Sequence, residues 1–209
     1  MIFSDRKDAA HRLVKELEQY RGQKPLVLAI PRGAVPMARI ISDELGGDVD
    51  VVLVRKLRAP GNPEFAIGSV DESGWTYLGD YAGRVGGSPE YIEAEKETQL
   101  KVMRERRASY TPIRPPHDPA GRIVIVVDDG LATGSTMIAA LHALRAKSPK
   151  KLICAVPVAP PDTLVKVQPY ADELVCLSAP EVFYAVGQFY ASFPQVSDEE
   201  VMELLKSTP

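Results

Sequence analysis

The sequence predicts an α/β domain built on a parallel sheet with helices on both faces. Two observations carry that prediction. Short apolar runs bounded by prolines, glycines or charges alternate with stretches of helical periodicity. The first strand, the helix after it and the second strand also fit within about thirty residues, the kind of crossover that parallel pairing needs. A chain of 209 residues with 45% hydrophobic content supports one good core, so a single domain is expected.

In chain order, Asp5 to Tyr20 places Ala9, Ala10, Leu13, Val14, Leu17 and Tyr20 at helical spacing, which predicts an opening amphipathic helix. PLVLAI, bounded by Pro25 and Pro31, reads as a buried strand, Ala34 to Leu45 as a helix, and DVDVVLV, ending at Val54, as a second strand. Leu57 to Gly87 is rich in Gly and Pro, with short alternating pieces at Phe65 to Val70 and Trp75 to Leu78. It reads as a mobile excursion carrying a small hairpin. Ser88 and Pro89 make an N-cap and first-turn pair for a charged helix to about Tyr110, which PIRPPHDP closes. RIVIVVD is the next strand, followed by a glycine-rich loop, a helix from about Ser135 to Ala146, strand KLICAVPV, a helix after Pro161 and strand ELVCL. The tail after Leu177 is aromatic-rich, and Ser197 with Glu200 forms a capping box for a last helix to about Lys206.

Composition removes several function classes. Against 25 Lys and Arg stand 28 Asp and Glu, a net charge of -3 that gives no bulk attraction to nucleic acid or anionic membrane. The opening residues are charged rather than apolar, and no run of 18 apolar residues occurs, so neither a secretory signal nor a membrane span is expected and the cytoplasm is the default address. Cys154 and Cys176 lie inside apolar strands and read as small core residues. His11, His117 and His142 show no metal-ligand spacing, and Trp75 is expected to pack the hairpin.

One segment carries chemistry. In IVIVVDDGLATGST an apolar strand delivers Asp128 and Asp129 to its carboxyl end, and Gly130, Leu131, Ala132, Thr133 and Gly134 lead straight into a helix at Ser135 and Thr136. Gly134 lets the backbone turn with positive φ and approach a ligand closely. The amides of Ala132 to Thr136 then form an anion nest at a helix N-terminus, with the hydroxyls of Thr133, Ser135 and Thr136 as further donors. Two carboxylates would repel a phosphate, so they face ribose hydroxyls or a magnesium ion instead. A sugar phosphate meets both demands. The spacing rejects a P-loop, which needs four residues between its glycines and then Lys; no G-x-G-x-x-G or G-x-S-x-G occurs either. The bland alternative is a plain turn and helix cap.

VVDDGLATGST resembles the phosphoribosyl pyrophosphate signature of type I phosphoribosyltransferases, and IPRGAVPMA, VVLVRKLRAPGNPEFAIGSV and VFYAVGQFYASF extend the likeness over most of the chain. The resemblance implies that family's α/β fold: a core over about 20–178, a flexible hairpin loop over about 57–87, and a small hood from about 1–20 and 179–209. It implies that Asp128 and Asp129 meet the ribose hydroxyls, and Mg2+ only indirectly through ribose or water, while Ala132 to Thr136 hold the 5-phosphate. It makes Pro31, Arg32 and Gly33, at the end of the first strand, the pyrophosphate loop. The cations Arg55, Lys56 and Arg58, which alone read as solvated surface charge, become groups that approach pyrophosphate, with Glu64 a contact in the closed loop. The implied partners are 5-phosphoribosyl-1-pyrophosphate and a nucleobase-like acceptor, and a homodimer, with a monomer left open.

The implied reaction is transfer of the phosphoribosyl group to a nitrogen nucleophile, with pyrophosphate leaving and Mg2+ neutralising it. Among the tail aromatics, Phe183 or Tyr184 is the expected neighbour of the base, and the others read as core. Two alternatives stand beside it. One is a regulatory protein that binds the donor without transferring it, although no added DNA-binding module is visible. The other is a phosphosugar hydrolase, for which Glu64 is the one loop carboxylate to nominate as a base.

Overall fold

The computed structural model describes residues 1–206. In chain order the elements are α1 (Arg6–Glu16), β1 (Leu26–Ala29), α2 (Val35–Leu45), β2 (Asp48–Val51), β3 (Val54–Ala59), β4 (Asn62–Asp71), β5 (Thr76–Leu78), α3 (Pro89–Tyr110), β6 (Ile123–Val127), α4 (Ser135–Arg145), β7 (Lys151–Val158), α5 (Pro161–Val167), β8 (Glu173–Ser178) and α6 (Asp198–Lys206). Five strands form one parallel sheet in the order β2-β1-β6-β7-β8.

The strands are near-continuous apolar runs because both faces of this sheet are covered. Alternate residues divide cleanly between two cores. Val27, Ala29, Ile123, Ile125 and Val127 pack with Leu13 and Val14 of α1 and Met37 and Ile41 of α2. Leu26, Leu28, Val124 and Val126 pack on the other face with Met137 and Leu141 of α4 and Val167 of α5. Cys154 is buried and Cys176 half-buried, both free. The helix starts form as their cap residues dictate. Asp5 accepts from the Asp8 amide, Ser88 from the Tyr91 amide, and Ser197 and Glu200 bond reciprocally.

Three expectations change. The first helix stops at Glu16, and a 3-10 turn over Glu18–Tyr20 carries Tyr20 into the core. DVDVVLV is not one strand: β2 ends at Val51, and Val54 opens β3, which runs antiparallel to β4. No glycine or proline marks that break, so the apolar run concealed it. The small hairpin is a three-stranded antiparallel sheet, β3-β4-β5, anchored by fully buried Leu57, Ile67 and Val70. Only its tip, residues 61–65, is continuously exposed.

The two ends of the chain meet. The Phe3 amide donates to Phe189 O at 2.8 Å and the Ala191 amide to Phe3 O at 2.8 Å, so the start of the chain and the aromatic tail form one layer. Residues 207–209 of the expected hood lie outside the described residues. No helix among the described residues is long and apolar enough to cross a membrane.

Candidate active site

β6 ends at the carboxyl edge of the sheet and hands the chain to Asp128, Asp129 and a loop held against α5. The Asp129 amide donates to Asp128 Oδ1 at 2.9 Å, and Thr163 Oγ1 donates to Ala132 O at 2.6 Å. Gly134 has φ 80°, and a Cβ there would sit 2.9 Å from both Thr163 Cγ2 and Val167 Cγ2, so only glycine fits both the turn and the contact. At Gly130 a Cβ would meet Val186 Cγ1 at 2.6 Å. The first amides of α4 have no partners within the helix and open toward the loop, as an anion site needs.

Not every polar group of the loop is free for a ligand. The Leu131 amide donates to Val158 O at 2.9 Å, and buried Ser135 receives a 2.9 Å hydrogen bond from Ser69 of β4. Ser135 therefore couples the loop to the three-stranded sheet. Thr133 Oγ1 lies 3.3 Å from Ser135 Oγ.

The loop forms one wall of a cleft of about 430 Å³, and Pro31, Arg32 and Gly33 form another beside the ends of β1 and β6. The Pro31–Arg32 peptide is cis. Arg55, Lys56 and Arg58 line the same cleft from β3 rather than from the end of β2. Burial, and then Arg106, Arg58 and Arg32 nearby, hold the Arg55 guanidinium below its ordinary pKa.

These cations are not equivalent. Arg55 Nε donates to Gln99 Oε1 at 3.0 Å. Arg58 is committed to buried Glu95, with Nε 2.8 Å from Oε1, and its own amide bonds the same oxygen at 3.0 Å. Arg32 lies 3.6 Å from Asp198 at the start of α6. Arg106 of α3 also lines the cleft and lies 3.7 Å from Asp198, a cation the sequence reading did not single out.

Other expected contacts fall elsewhere. Glu64 is exposed on the tip of the three-stranded sheet, where Pro63 rather than Glu64 reaches the cleft. Tyr184 is 85% exposed. Phe183 packs on Phe189 with ring centroids 5.0 Å apart. The tail residue that lines the cleft is Val186. Trp75 stacks on His142 at 3.7 Å rather than serving the hairpin alone.

A family model described as the phosphoribosyl transferase domain matches residues 4–193. The chain belongs to that family. Two relatives from Mycobacterium tuberculosis strains, provisionally named phosphoribosyl transferases, are 40% identical over 205 residues, covering 98% of this chain and 46% of theirs. The chain thus spans about half the length of the curated relatives it matches. The crystal structure of TT1426 from Thermus thermophilus matches with a TM-score of 0.81 and 43% identity, over 99% of this chain and 98% of that one. A uracil phosphoribosyltransferase of Clostridioides difficile is 41% identical over 59 residues, 28% of this chain.

In this phosphoribosyl transferase domain the carboxylate pair is electrostatically strained. Withdrawal from water, and then the neighbouring Asp129, push Asp128 well above the usual carboxylate range; Lys56 and Arg6 oppose them. Asp129 is raised by burial against the counteracting pull of Arg6. Arg6 Nε and Nη2 each lie 3.0 Å from Asp129 Oδ2. Nothing in SDRKDAA distinguishes Arg6 from the other charges of α1, so only the fold reveals it.

Proposed function

We propose that this domain is a phosphoribosyltransferase that takes 5-phosphoribosyl-1-pyrophosphate, transfers the phosphoribosyl group to a nitrogen nucleophile, a nucleobase or similar heterocycle, and releases pyrophosphate. The observation that carries this reading is the cleft itself. Its lining brings together an anion nest, a carboxylate pair and a group of arginine and lysine cations. That combination of groups complements a 5-phosphate, a ribose diol and a pyrophosphate.

In this reading Ala132 to Thr136 hold the 5-phosphate, and Asp128 and Asp129 accept hydrogen bonds from the ribose hydroxyls. As the bond from C1 to the pyrophosphate oxygen breaks, charge grows on the leaving group, and Arg32, Arg55, Lys56 and Arg106 oppose it without covalent chemistry. The acceptor nitrogen forms the new bond to C1 as the bond to pyrophosphate breaks, and its proton passes to the departing pyrophosphate or to water. Val186 and Leu131 supply an apolar wall at the acceptor side. Closure of the exposed tip over the cleft would exclude water.

Among the described residues no group of three or more His, Cys, Asp or Glu side chains could hold a metal by itself. Asp128 and Asp129 fit a magnesium ion that they would meet indirectly, through ribose oxygens or water, an arrangement that suits this ion with phosphates. When bound there, Mg2+ would neutralise pyrophosphate charge.

Incubation with the donor, magnesium and a panel of free bases, with pyrophosphate release as readout, tests the proposal. Release that depends on one base supports it and names the acceptor. Release without a base indicates a hydrolase, and tight donor binding with no release in any mixture indicates a sensor; either result overturns the transferase reading.

A further inference from the structure

The carboxylate that would meet the ribose does not stand alone. Arg6, the first residue of α1, reaches across to Asp129 with Nε and Nη2, both on Oδ2 at 3.0 Å. Its third nitrogen, Nη1, donates to Pro194 O, and its guanidinium lies 3.9 Å from the centre of the Phe193 ring. The pair is nearly closed to solvent, with side chains 11% and 16% exposed. Tyr190 OH donates to the Asp129 carbonyl at 2.7 Å, so the tail grips the same residue through its backbone.

Gly33 completes the arrangement. A Cβ there would lie 2.4 Å from Asp129 Oδ2 and 2.9 Å from Arg6 Nη2, so the absence of a side chain at Gly33 is what lets the pair form.

The geometry points to Arg6 as a positioning residue for the donor ribose, one that fixes the Asp129 side chain by Oδ2 and leaves Oδ1 to accept from a ribose hydroxyl. This inference rests on the transferase reading above. Two donors on one oxygen, with a stacked guanidinium plane behind them, lock both side-chain torsions of Asp129 before any ligand arrives. Binding then loses less conformational freedom. A lysine offers a point charge without the planar fork and would not reproduce the paired Nε and Nη2 contact on Asp129 Oδ2. Arg6 also ties donor binding to the layer formed by the two chain ends, through Pro194 and the bridge between Phe3 and Tyr190.

The test is calorimetric titration of the full chain with ribose 5-phosphate and, separately, with pyrophosphate, in the wild type, Arg6→Met and Arg6→Lys. The expected result is ribose 5-phosphate binding about tenfold or more weaker in Arg6→Met, with pyrophosphate within about twofold of the wild type. Arg6→Lys should recover part of the loss. Equal weakening of both ligands would mean that Arg6 merely supports the fold, and unchanged or tighter ribose 5-phosphate binding would make it a bystander or a blocking group; each overturns the inference. If Arg6→Met does not fold, Arg6→Lys decides alone: it should bind ribose 5-phosphate about threefold or more weakly, and wild-type affinity would sink the idea. A wild type that binds neither ligand would remove the donor-site reading itself, an outcome distinct from a wild type that binds both and variants that match it.

Discussion

The two ends of the cleft are built in opposite ways. The part proposed to hold the 5-phosphate is nine consecutive residues, Asp128 to Thr136, running from the end of β6 into the start of α4 and braced by Thr163 and Val167 of α5. The part proposed to hold pyrophosphate is gathered from Arg32 after β1, Arg55 and Lys56 on β3, and Arg106 on α3. A contiguous loop has one backbone path, so a single wrong atom disturbs every amide in it. A convergent cluster of long side chains is redundant, and the loss of one cation leaves the others in place. The phosphate end should therefore be fragile to substitution and the pyrophosphate end tolerant.

Gly134→Val is the harshest way to break the comparison. It adds a branched side chain where φ is 80° and where even a Cβ meets two methyl groups at 2.9 Å. Affinity for ribose 5-phosphate should fall about 100-fold or more while the far end still binds pyrophosphate. Equal loss at both ends, measured by titration, would show that the cleft is one cooperative unit.

Asp128→Asn comes next and carries a signature in stability. Burial and the Asp129 charge raise the Asp128 pKa in the fold above its unfolded value. Stability is then fully present below the ordinary carboxylate pKa and is lost as pH rises from there through the raised value, because the folded state gives up that proton at a cost. Asparagine removes this cost and can still accept from the Asp129 amide. At neutral pH the ligand-free variant should melt about 2 °C or more higher than the wild type, with the gain vanishing toward the ordinary carboxylate range, while donor affinity drops about 30-fold. A melting temperature that falls at neutral pH would refute the account of a strained pair.

The same contrast governs what the sequence could reveal. The phosphate end was legible because strand, carboxylate pair, small residues and helix start are consecutive, and β1, β6, β7 and β8 were legible as apolar runs with clear ends. Arg106 was not. Arg104, Arg106 and Arg107 lie on one helix, where neighbouring residues point about 100° apart, and which of them faces the cleft depends on how α3 docks. In the structure Arg107 pairs with Glu72 at 2.7 Å, while Arg106 turns to the cleft. The break between β2 and β3 was hidden because Val52 and Leu53 are buried in the turn itself, so hydrophobicity runs on through it. The tail aromatics carry no period of 2 or 3.6, so their faces could not be assigned; Phe189 and Tyr190 are core, whereas Tyr184 is solvent-exposed.

At the tolerant end, Arg106→Met should weaken pyrophosphate binding by only about three- to tenfold, because Arg32, Arg55 and Lys56 remain. Arg58→Met should weaken it less still and show its effect in the melting temperature. Its partner Glu95, 7% exposed, would be left charged without its cation, at a cost of about 1–2 kcal/mol once the exposure of Arg58, 41%, is allowed for. A larger loss of pyrophosphate affinity in Arg58→Met than in Arg106→Met would invert this ranking.

The smallest effects separate the two tail residues nearest the acceptor question. Val186 touches the loop closely enough that its methyl groups would collide with any side chain at Gly130, and it lines the cleft. Val186→Ala opens space for the acceptor and should raise the acceptor KM by about three- to tenfold with the donor KM unchanged. Tyr184→Ala removes a ring that already lies 85% in solvent, and KM for either substrate should move by less than about twofold. Should Tyr184→Ala instead raise the acceptor KM more than Val186→Ala, the tail must fold over the cleft when substrate binds, and the apolar wall inferred from Val186 would describe only the open state.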